Sequence, residues 1–168
     1  QGIKQSELVE LNTEEPQFDE NQLSKVYSSW EKHFDNIEGG PDRSPKFPIP
    51  NNYQFLLRYA HLSDNQAALN HVKLTLDKIA YGGIYDHLGG GITRYSTDKL
   101  WKVPHFEKML YDNGQIVSLY CEAYQKFQDA DYKKLVYGTL EFIERELQSK
   151  EAAFYSALDA DSDGEEGK

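Results

Sequence analysis

Two histidines and one glutamate are the side chains of this sequence best suited to acid/base chemistry. His87 lies in a glycine-rich stretch, and His105 stands two positions before Glu107. An imidazole ionises near neutral pH, and a carboxylate beside it can orient it for proton transfer. His87, His105 and Glu107 are therefore the candidate catalytic residues.

A second group of side chains could hold a substrate. Cationic and anionic groups can bind polar substituents, and flat aromatic faces can stack against a sugar ring. Proton transfer beside C2 or the ring oxygen of a sugar needs no metal or redox cofactor, so we predict none. The candidate substrate-binding residues are Lys46, Asp86, Arg94, Tyr95 and Trp101.

Each candidate also has a purely structural interpretation. A histidine can be a hydrogen-bonded part of the scaffold, and Glu107 could simply complement the positive end of a helix. Trp101 could pack, while Lys46 and Arg94 could pair with the many acids of the chain. The five glycines between positions 82 and 91 could do no more than turn the backbone. Cys121 is expected to be a small core residue of a helix.

An acidic stretch near the end of the chain matches half of a calcium-binding loop. Asp159, Asp161 and Asp163 alternate before Gly164, as oxygen ligands do before the sharp turn of such loops. The position after Glu165, where an apolar residue is usual, is occupied by a second glutamate. An exposed acidic loop is the favoured interpretation, so no metal ligand is assigned, and a calcium-binding loop is the alternative.

Apolar residues at spacings of three and four predict five helices that would position these side chains. The predicted helices cover residues 22–37, 51–60, 65–79, 104–127 and 131–147. Short turns join the second to the third and the fourth to the fifth, and such turns make neighbouring helices antiparallel. The remaining connections are long, so they should all lie at one end of the helices. The sequence thus predicts an all-α fold of antiparallel helical hairpins, with the candidate residues gathered at the long-loop end.

Composition narrows the classes of protein further. The 168 residues include 28 acids and 18 bases, for a net charge of −10. Nucleic acid and anionic membranes attract clustered positive charge, so neither is an expected partner. No apolar run approaches the roughly 18 residues that span a bilayer. A single cysteine cannot form an internal disulfide and fits a reducing compartment, and we predict a cytoplasmic location. The polar start without Met and the end within an acidic loop suggest a piece of a longer protein.

Three stretches resemble the YyaL-type family of thioredoxin-domain-containing proteins, also described as spermatogenesis-associated protein 20-like. They are residues 82–96 (GGIYDHLGGGITRYS), residues 101–113 (WKVPHFEKMLYDN) and residues 154–167 (FYSALDADSDGEEG). The chain departs from the family pattern at residues 41–44 and at Ile92, where relatives tend to have phenylalanine. The resemblance therefore implies no loop-specific roles for the residues near these positions.

The resemblance implies a fold and a domain organisation. Residues 1–17 would be a linker from a thioredoxin-like domain, and residues 18–168 would be the first part of an (α/α)6 barrel that is incomplete at its C-terminus. Such six-hairpin, glycosidase-like toroids include sugar epimerases, so the first hypothesis is an epimerase- or hydrolase-like site for a small sugar. The second hypothesis is a non-catalytic module that serves the thioredoxin-like domain or a partner protein. The missing domain and hairpins would be its partners, and exposed apolar helix faces predict self-association of this piece.

Overall fold

The computed structural model describes residues 13, 15 and 19–166, without the side chains of residues 20 and 166. The predicted linker, residues 1–17, lies outside the described part except for residues 13 and 15. The helices are α1 Glu20–Trp30, α2 Pro50–Ser63, α3 Gln66–Ala80, α4 Leu110–Phe127 and α5 Ala130–Phe142. A 3₁₀ turn, Glu31–His33, follows α1, and a π-helical turn, Ile143–Leu147, follows α5. The strands are β1 Tyr95–Ser96, β2 Pro104–His105, β3 Lys108–Met109, β4 Ala157–Leu158, β5 Asp161–Ser162 and β6 Glu165–Glu166.

The described residues form two compact units: the first ends at Trp30 and includes α1, and the second begins at Glu31 and holds the other helices. The helical prediction for residues 22–37 runs too far, because α1 ends at Trp30 and the 3₁₀ turn ends at His33. The backbone then turns under Asp35, whose Oδ1 accepts hydrogen bonds from the N–H groups of Ile37 and Glu38, both at 2.9 Å. A side chain that bonds the following backbone in this way favours a turn over a continued helix.

Helices α2 to α5 form the two predicted antiparallel hairpins. Asp64 adopts a left-handed conformation at the end of α2, and Asn65 caps α3 by accepting a hydrogen bond from the Ala68 N–H at 2.9 Å. Asp129 caps α5 in the same manner through the Asp131 N–H. Each cap satisfies an amide that the helix itself leaves unpaired. The turns between the helices of each pair are therefore short, as the sequence predicts.

The core lies where these hairpins meet. Helix α2 packs against α3 and α4, and α4 packs against α5. Val72, Leu76 and Ile79 line the buried face of α3 and are fully enclosed. The hydroxyl of Tyr120 on α4 donates to the Leu76 carbonyl at 2.8 Å, and its ring meets Tyr132 of α5 edge-on at 5.1 Å. The structure confirms the all-α fold class.

Helix α4 begins six residues later than predicted. Residues 104–105 form β2, which pairs with β1, and residues 108–109 form β3, which pairs with β4. The strand partners satisfy backbone groups that a helix starting at Pro104 would otherwise use. Glu107 therefore precedes the helix, and the acid in the first helical turn is Asp112.

Cys121 is exposed, so the prediction that it is a core residue is wrong. The buried positions of α4 include Ile116, Leu119, Tyr120 and Ala123, which follow helical spacings of three and four. Cys121 lies one residue after a buried position and thus points away from this stripe.

The long connections converge, which confirms that they lie at one end of the helices. Lys46 and Ser96 exchange backbone hydrogen bonds of 2.9 and 2.8 Å, which joins the first long loop to the second. Leu110 N–H donates to the Ser156 carbonyl at 2.9 Å, which joins the second loop to the segment after α5. No helix among the described residues combines the length and apolar character that crossing a membrane would need.

Candidate functional site at the long-loop end

A row of three rings lies along the β1–β2 pair. Tyr95 stands opposite His105 in the strand register, and the two rings stack with centroids 4.6 Å apart and planes 13° apart. The ring of Phe47 lies 4.7 Å from that of Tyr95. The strand pairing therefore places a partly exposed imidazole at the end of an aromatic surface.

Glu107 connects this row to a cation. Arg94 Nη1 donates to Glu107 Oε2 at 2.8 Å, and the Arg94 N–H donates to the Glu107 carbonyl at 2.8 Å. His105 Nε2 lies 3.8 Å from the same carboxylate oxygen, so Oε2 stands between guanidinium and imidazole. We call Arg94, Tyr95, His105 and Glu107 the rim cluster. The hydrogen bond to Glu107 raises the pKa of Arg94, so the guanidinium stays charged.

The rim cluster is within reach of solvent. The His105 and Glu107 side chains are each 21% exposed, and the Arg94 side chain is 42% exposed. A carboxylate that is bound to arginine and close to an imidazole can orient that imidazole for proton transfer. The structure thus brings together two of the three predicted catalytic residues and two of the predicted substrate contacts.

Asp112 is a residue next to this cluster that the sequence analysis missed. It is half-buried in the first turn of α4, and its Oδ2 has no hydrogen-bond partner within the described part of the chain. Burial raises the pKa of the Asp112 carboxyl to about 6, while Arg94 acts to lower it and Glu107 acts to raise it. A helix start at Leu110 would have revealed Asp112 as a first-turn acid.

The third predicted catalytic residue, His87, belongs to the glycine-rich turn. Its Nε2 lies 3.0 Å from the Gly82 carbonyl, and its ring meets Tyr85 edge-on at 5.1 Å. Both partners come from residues 82–91. These contacts favour a structural role for His87, in contrast to the placement of His105.

Asp86 organises the same turn. Its Oδ1 accepts from the N–H groups of Leu88 and Gly89, and its Oδ2 accepts from Lys108 Nζ at 2.8 Å. Burial alone would raise the pKa of Asp86, but these hydrogen bonds and the lysine charge lower it to about 2. Lys108 also donates to the Gly90 carbonyl at 2.9 Å, so Asp86 is occupied as a structural anchor rather than left open to a ligand.

Lys46 and Trp101, both predicted to contact substrate, are completely buried. Lys46 Nζ donates to Asp35 Oδ2 and to the Gly39 carbonyl, both at 2.7 Å, and lies 5.5 Å from the centroid of the Trp101 ring. Trp101 Nε1 donates to the Glu38 carbonyl at 2.9 Å. Neither side chain presents a surface to a ligand here, because together they hold the first and second long loops to each other.

The acidic stretch near the end forms a short hairpin of β5 and β6. Asp163 and Gly164 stand at its tip with positive φ angles of 54° and 81°. Across residues 13, 15 and 19–166, no group of three or more His, Cys, Asp or Glu side chains is arranged to hold a metal ion. The hairpin geometry agrees with the interpretation of an exposed acidic loop.

The chain is similar in sequence to curated proteins of animals, although no family model matches it. It is 40% identical over 148 residues to spermatogenesis-associated protein 20 of Rattus norvegicus. The aligned region covers 86% of this chain and 19% of that protein. The human protein of the same name is 40% identical over 149 residues, with the same coverage of both chains. An uncharacterised protein of Caenorhabditis elegans is 36% identical over 150 residues, or 85% of this chain and 20% of that one. The chain spans about a fifth of the length of these relatives.

Solved structures show the same fold. A sugar epimerase from a ruminal bacterium superposes with a TM-score of 0.71 at 17% identity, over 83% of this chain and 40% of that one. Cellobiose 2-epimerase from Bacillus thermoamylovorans gives 0.68 at 16% identity, again over 83% and 40%. A family 76 glycoside hydrolase from a bovine Bacteroides thetaiotaomicron strain gives 0.58 at 15% identity, over 83% and 33%. The described helices therefore correspond to part of an (α/α)6 toroid.

Proposed function

This chain belongs to the spermatogenesis-associated protein 20 family, and on that premise we propose that it forms one wall of a carbohydrate-active toroid. In this proposal His105 and Glu107 exchange protons with a small sugar. Arg94 binds an oxygen of the sugar, and Tyr95 supports the ring of His105.

The observation that carries the proposal is the position of Glu107 Oε2. It accepts a hydrogen bond from Arg94 at 2.8 Å and lies 3.8 Å from His105 Nε2. A carboxylate that is held by an arginine can orient a neighbouring imidazole for proton transfer. The stacked Tyr95 ring limits the other motions of that imidazole. Structures named as a sugar epimerase, a mannose isomerase and a glycoside hydrolase share the surrounding fold.

Epimerisation is the reaction that this set of groups suits best. A base takes the proton from the carbon next to the carbonyl of an open-chain sugar, and the electron pair of the broken C–H bond moves onto the carbonyl oxygen. A guanidinium such as that of Arg94 can stabilise the resulting oxyanion. Return of a proton to the opposite face of the same carbon completes the reaction. One proton leaves and one arrives, so no cofactor is consumed.

Exchange of a sugar proton for solvent deuterium tests the proposal directly. In D₂O, the C2 proton of reducing sugars such as mannose and cellobiose should disappear from the proton NMR spectrum when the chain is present. His105→Asn and Glu107→Gln should each slow this exchange by about 10²–10⁴-fold, the usual effect of losing a general acid or base. His61→Asn, the same change at an exposed position of α2, is the matched control and should leave the rate unchanged. Exchange of the C2 proton that persists in both variants contradicts the proposal. The proposal is also contradicted if no reducing sugar exchanges this proton.

A non-catalytic module is the second candidate function. It is favoured by the number of polar side chains at the loop end that are already engaged in holding the loops, namely Lys46, Asp86, Lys108 and His87. In this case the toroid would serve a neighbouring domain or a partner protein. Amide NMR spectra separate the two functions, because a sugar site predicts sugar-dependent shifts at residues 94–107 and a purely structural loop end predicts none.

A further inference from the structure

We infer that Asp98 is a positioning residue of the rim cluster, because its carboxylate closes the loop between β1 and β2 and thereby keeps the Tyr95 ring stacked on His105. The importance of this stack for catalysis rests on the proposed function above. The dependence of the stack on Asp98 does not rest on that function, and it can be measured without any sugar.

The loop between β1 and β2 is organised around this one carboxylate. Asp98 Oδ1 accepts hydrogen bonds from the N–H groups of Leu100 and Lys102, at 2.6 and 3.3 Å. The same oxygen accepts from the Ser96 hydroxyl at 3.0 Å, and Oδ2 accepts from the Val103 N–H at 3.0 Å. Burial alone would raise the pKa of Asp98, but these hydrogen bonds lower it, so the group is ionised at neutral pH. Hydrogen bonds to an ionised acceptor are stronger than those between neutral groups, so the carboxylate holds the loop closed.

The closed loop fixes how the two strands enter their pairing. The Thr97 N–H donates to the Val103 carbonyl at 2.9 Å, directly beside the strand pair that Ser96 makes. The next pair in the register is Tyr95 with His105. Strands of two residues are too short to hold a register by themselves, and a slip of one residue would turn the His105 ring to the other face. The loop therefore decides whether the Tyr95 and His105 rings meet.

Ser96 ties this loop to the rest of the long-loop end. It is fully buried, its hydroxyl donates to Asp98, and its backbone exchanges hydrogen bonds of 2.9 and 2.8 Å with Lys46. Lys46 is itself completely buried, so the position of this junction is fixed by the packing around it. Phe47 follows Lys46, and its ring lies 4.7 Å from that of Tyr95. The carboxylate of Asp98 is thus bonded to the same junction that places the other end of the aromatic row.

Loss of the Asp98 carboxylate should loosen the strand pair without unfolding the chain. Its three backbone donors belong to exposed residues, whose N–H groups can bond water instead. Trp101 anchors the middle of the loop independently, because its ring is fully buried and its Nε1 donates to the Glu38 carbonyl at 2.9 Å. The helical core lies between α2, α3, α4 and α5 and does not include the carboxylate. The expected effect is therefore confined to the register and to the rings that it brings together.

NMR spectra of the intact chain test the inference at the His105 ring. The ring current of the stacked Tyr95 should shift the His105 ring protons upfield, and the two rings should give mutual nuclear Overhauser effects. In Asp98→Ala most of the upfield shift and these effects should be lost. Asp98→Asn keeps one acceptor oxygen and should retain part of both. The matched control is Asp42→Ala, which removes an exposed carboxylate that pairs with Lys99 of the same loop and should leave both signals unchanged.

Amide hydrogen exchange of the unmodified chain is a second test, which needs no variant to fold. The N–H groups of Leu100 and Val103 should exchange with solvent about tenfold or more slowly than the N–H of the exposed Lys99, because their hydrogen bonds to a charged group must open first. Equal exchange rates for the three amides would overturn the inference. Unchanged His105 signals in folded Asp98→Ala would overturn it as well.

The sugar exchange experiment separates this inference from the proposed function. If both hold, the rate of C2 proton exchange at saturating sugar should fall by as much as about 10²-fold in Asp98→Ala, because a displaced acid/base group slows the chemical step. A lost ring stack with an unchanged exchange rate would contradict the positioning role. Absence of sugar exchange while the stack depends on Asp98 as expected would contradict the proposed function alone. Normal sugar exchange with a stack that does not depend on Asp98 would contradict the inference alone.

Discussion

At the scale of single residues, Lys46 shows how this fold encloses a charge. Its ammonium group is fully buried, and its described partners are Asp35 and the Gly39 carbonyl. Burial by itself would raise the pKa of Asp35, but hydrogen bonds from the Glu38 N–H, from Lys46 and from the Ile37 N–H lower it below its ordinary value. The carboxylate is therefore ionised in the folded protein and depends on its cation.

Replacing Lys46 with methionine should destabilise the fold strongly. The variant keeps the length of the side chain but leaves Asp35, only 13% exposed, without its cation. Loss of one partner of a buried ion pair costs about 3–5 kcal/mol in the free energy of unfolding, measured by urea denaturation at pH 7. The matched control is Lys134→Met, which removes an exposed pair with Asp131 and should change stability far less. Equal effects of the two substitutions would contradict this account of Lys46.

The same ion pair should make stability depend on acid. The pKa of Asp35 is lowered in the folded state, so its contribution is complete above the unfolded value of about 3.9. That contribution disappears as the pH falls through the lower, folded pKa. Urea midpoints measured across this range should decline for the unmodified chain and decline less for Asp35→Asn.

Residue types and short spacings predicted part of the candidate site, whereas the placement of the other candidate residues depends on long-range packing. His105 and Glu107 stand two positions apart in the sequence, so their proximity could be predicted. The burial of Trp101 could not be predicted, because it depends on distant residues. Its ring nitrogen donates a hydrogen bond to the Glu38 carbonyl, 63 positions away, and its ring lies against Gly40. Asp112 was missed because its place in a first helical turn depends on where α4 begins.

At the scale of elements, periodicity predicted that helices exist more reliably than where they start. The helix α4 exists as predicted, but its buried face includes Ile116, Leu119 and Ala123, and the side-chain caps Asn65 and Asp129 of α3 and α5 were not predicted. Between Pro104 and Leu110 the backbone instead forms β2 and β3, whose partners β1 and β4 lie elsewhere in the chain. Strand pairs only two residues long leave no alternating pattern, so their formation depends on non-local contacts.

Two glycine substitutions should affect these elements in opposite directions. Gly114 lies within α4 with nothing near an added Cβ, so Gly114→Ala should stabilise the protein by about 0.5–1 kcal/mol through helix propensity. Gly90 has a φ of +77°, and a Cβ there would collide with the Gly138 carbonyl of α5. Gly90→Ala should therefore destabilise the protein by more than about 1 kcal/mol. Thermal unfolding of both variants checks this pair, and stabilisation by Gly90→Ala would show that the turn is not constrained as described.

At the scale of the whole molecule, the alternation of short and long connections is what made the architecture predictable. Short turns require antiparallel neighbours, so the long loops had to meet, and the pairing of Lys46 with Ser96 shows that they do. The toroids that share this fold are longer, since the chain covers 40% of the sugar epimerase.

Exposed apolar residues on α5 predict that the 168-residue chain self-associates. Tyr137 is 57% exposed and Leu140 is 40% exposed, and residues three apart are neighbours on a helix surface. Association would remove this apolar area from water, so the mean mass from sedimentation velocity should rise with concentration. Replacing both residues with glutamate should abolish the rise without unfolding the chain, because neither side chain belongs to the core. Thr97→Glu, an exposed change in the second long loop, is the control. A constant monomer mass for the unmodified chain at all concentrations would mean that this face of α5 is stable in water by itself.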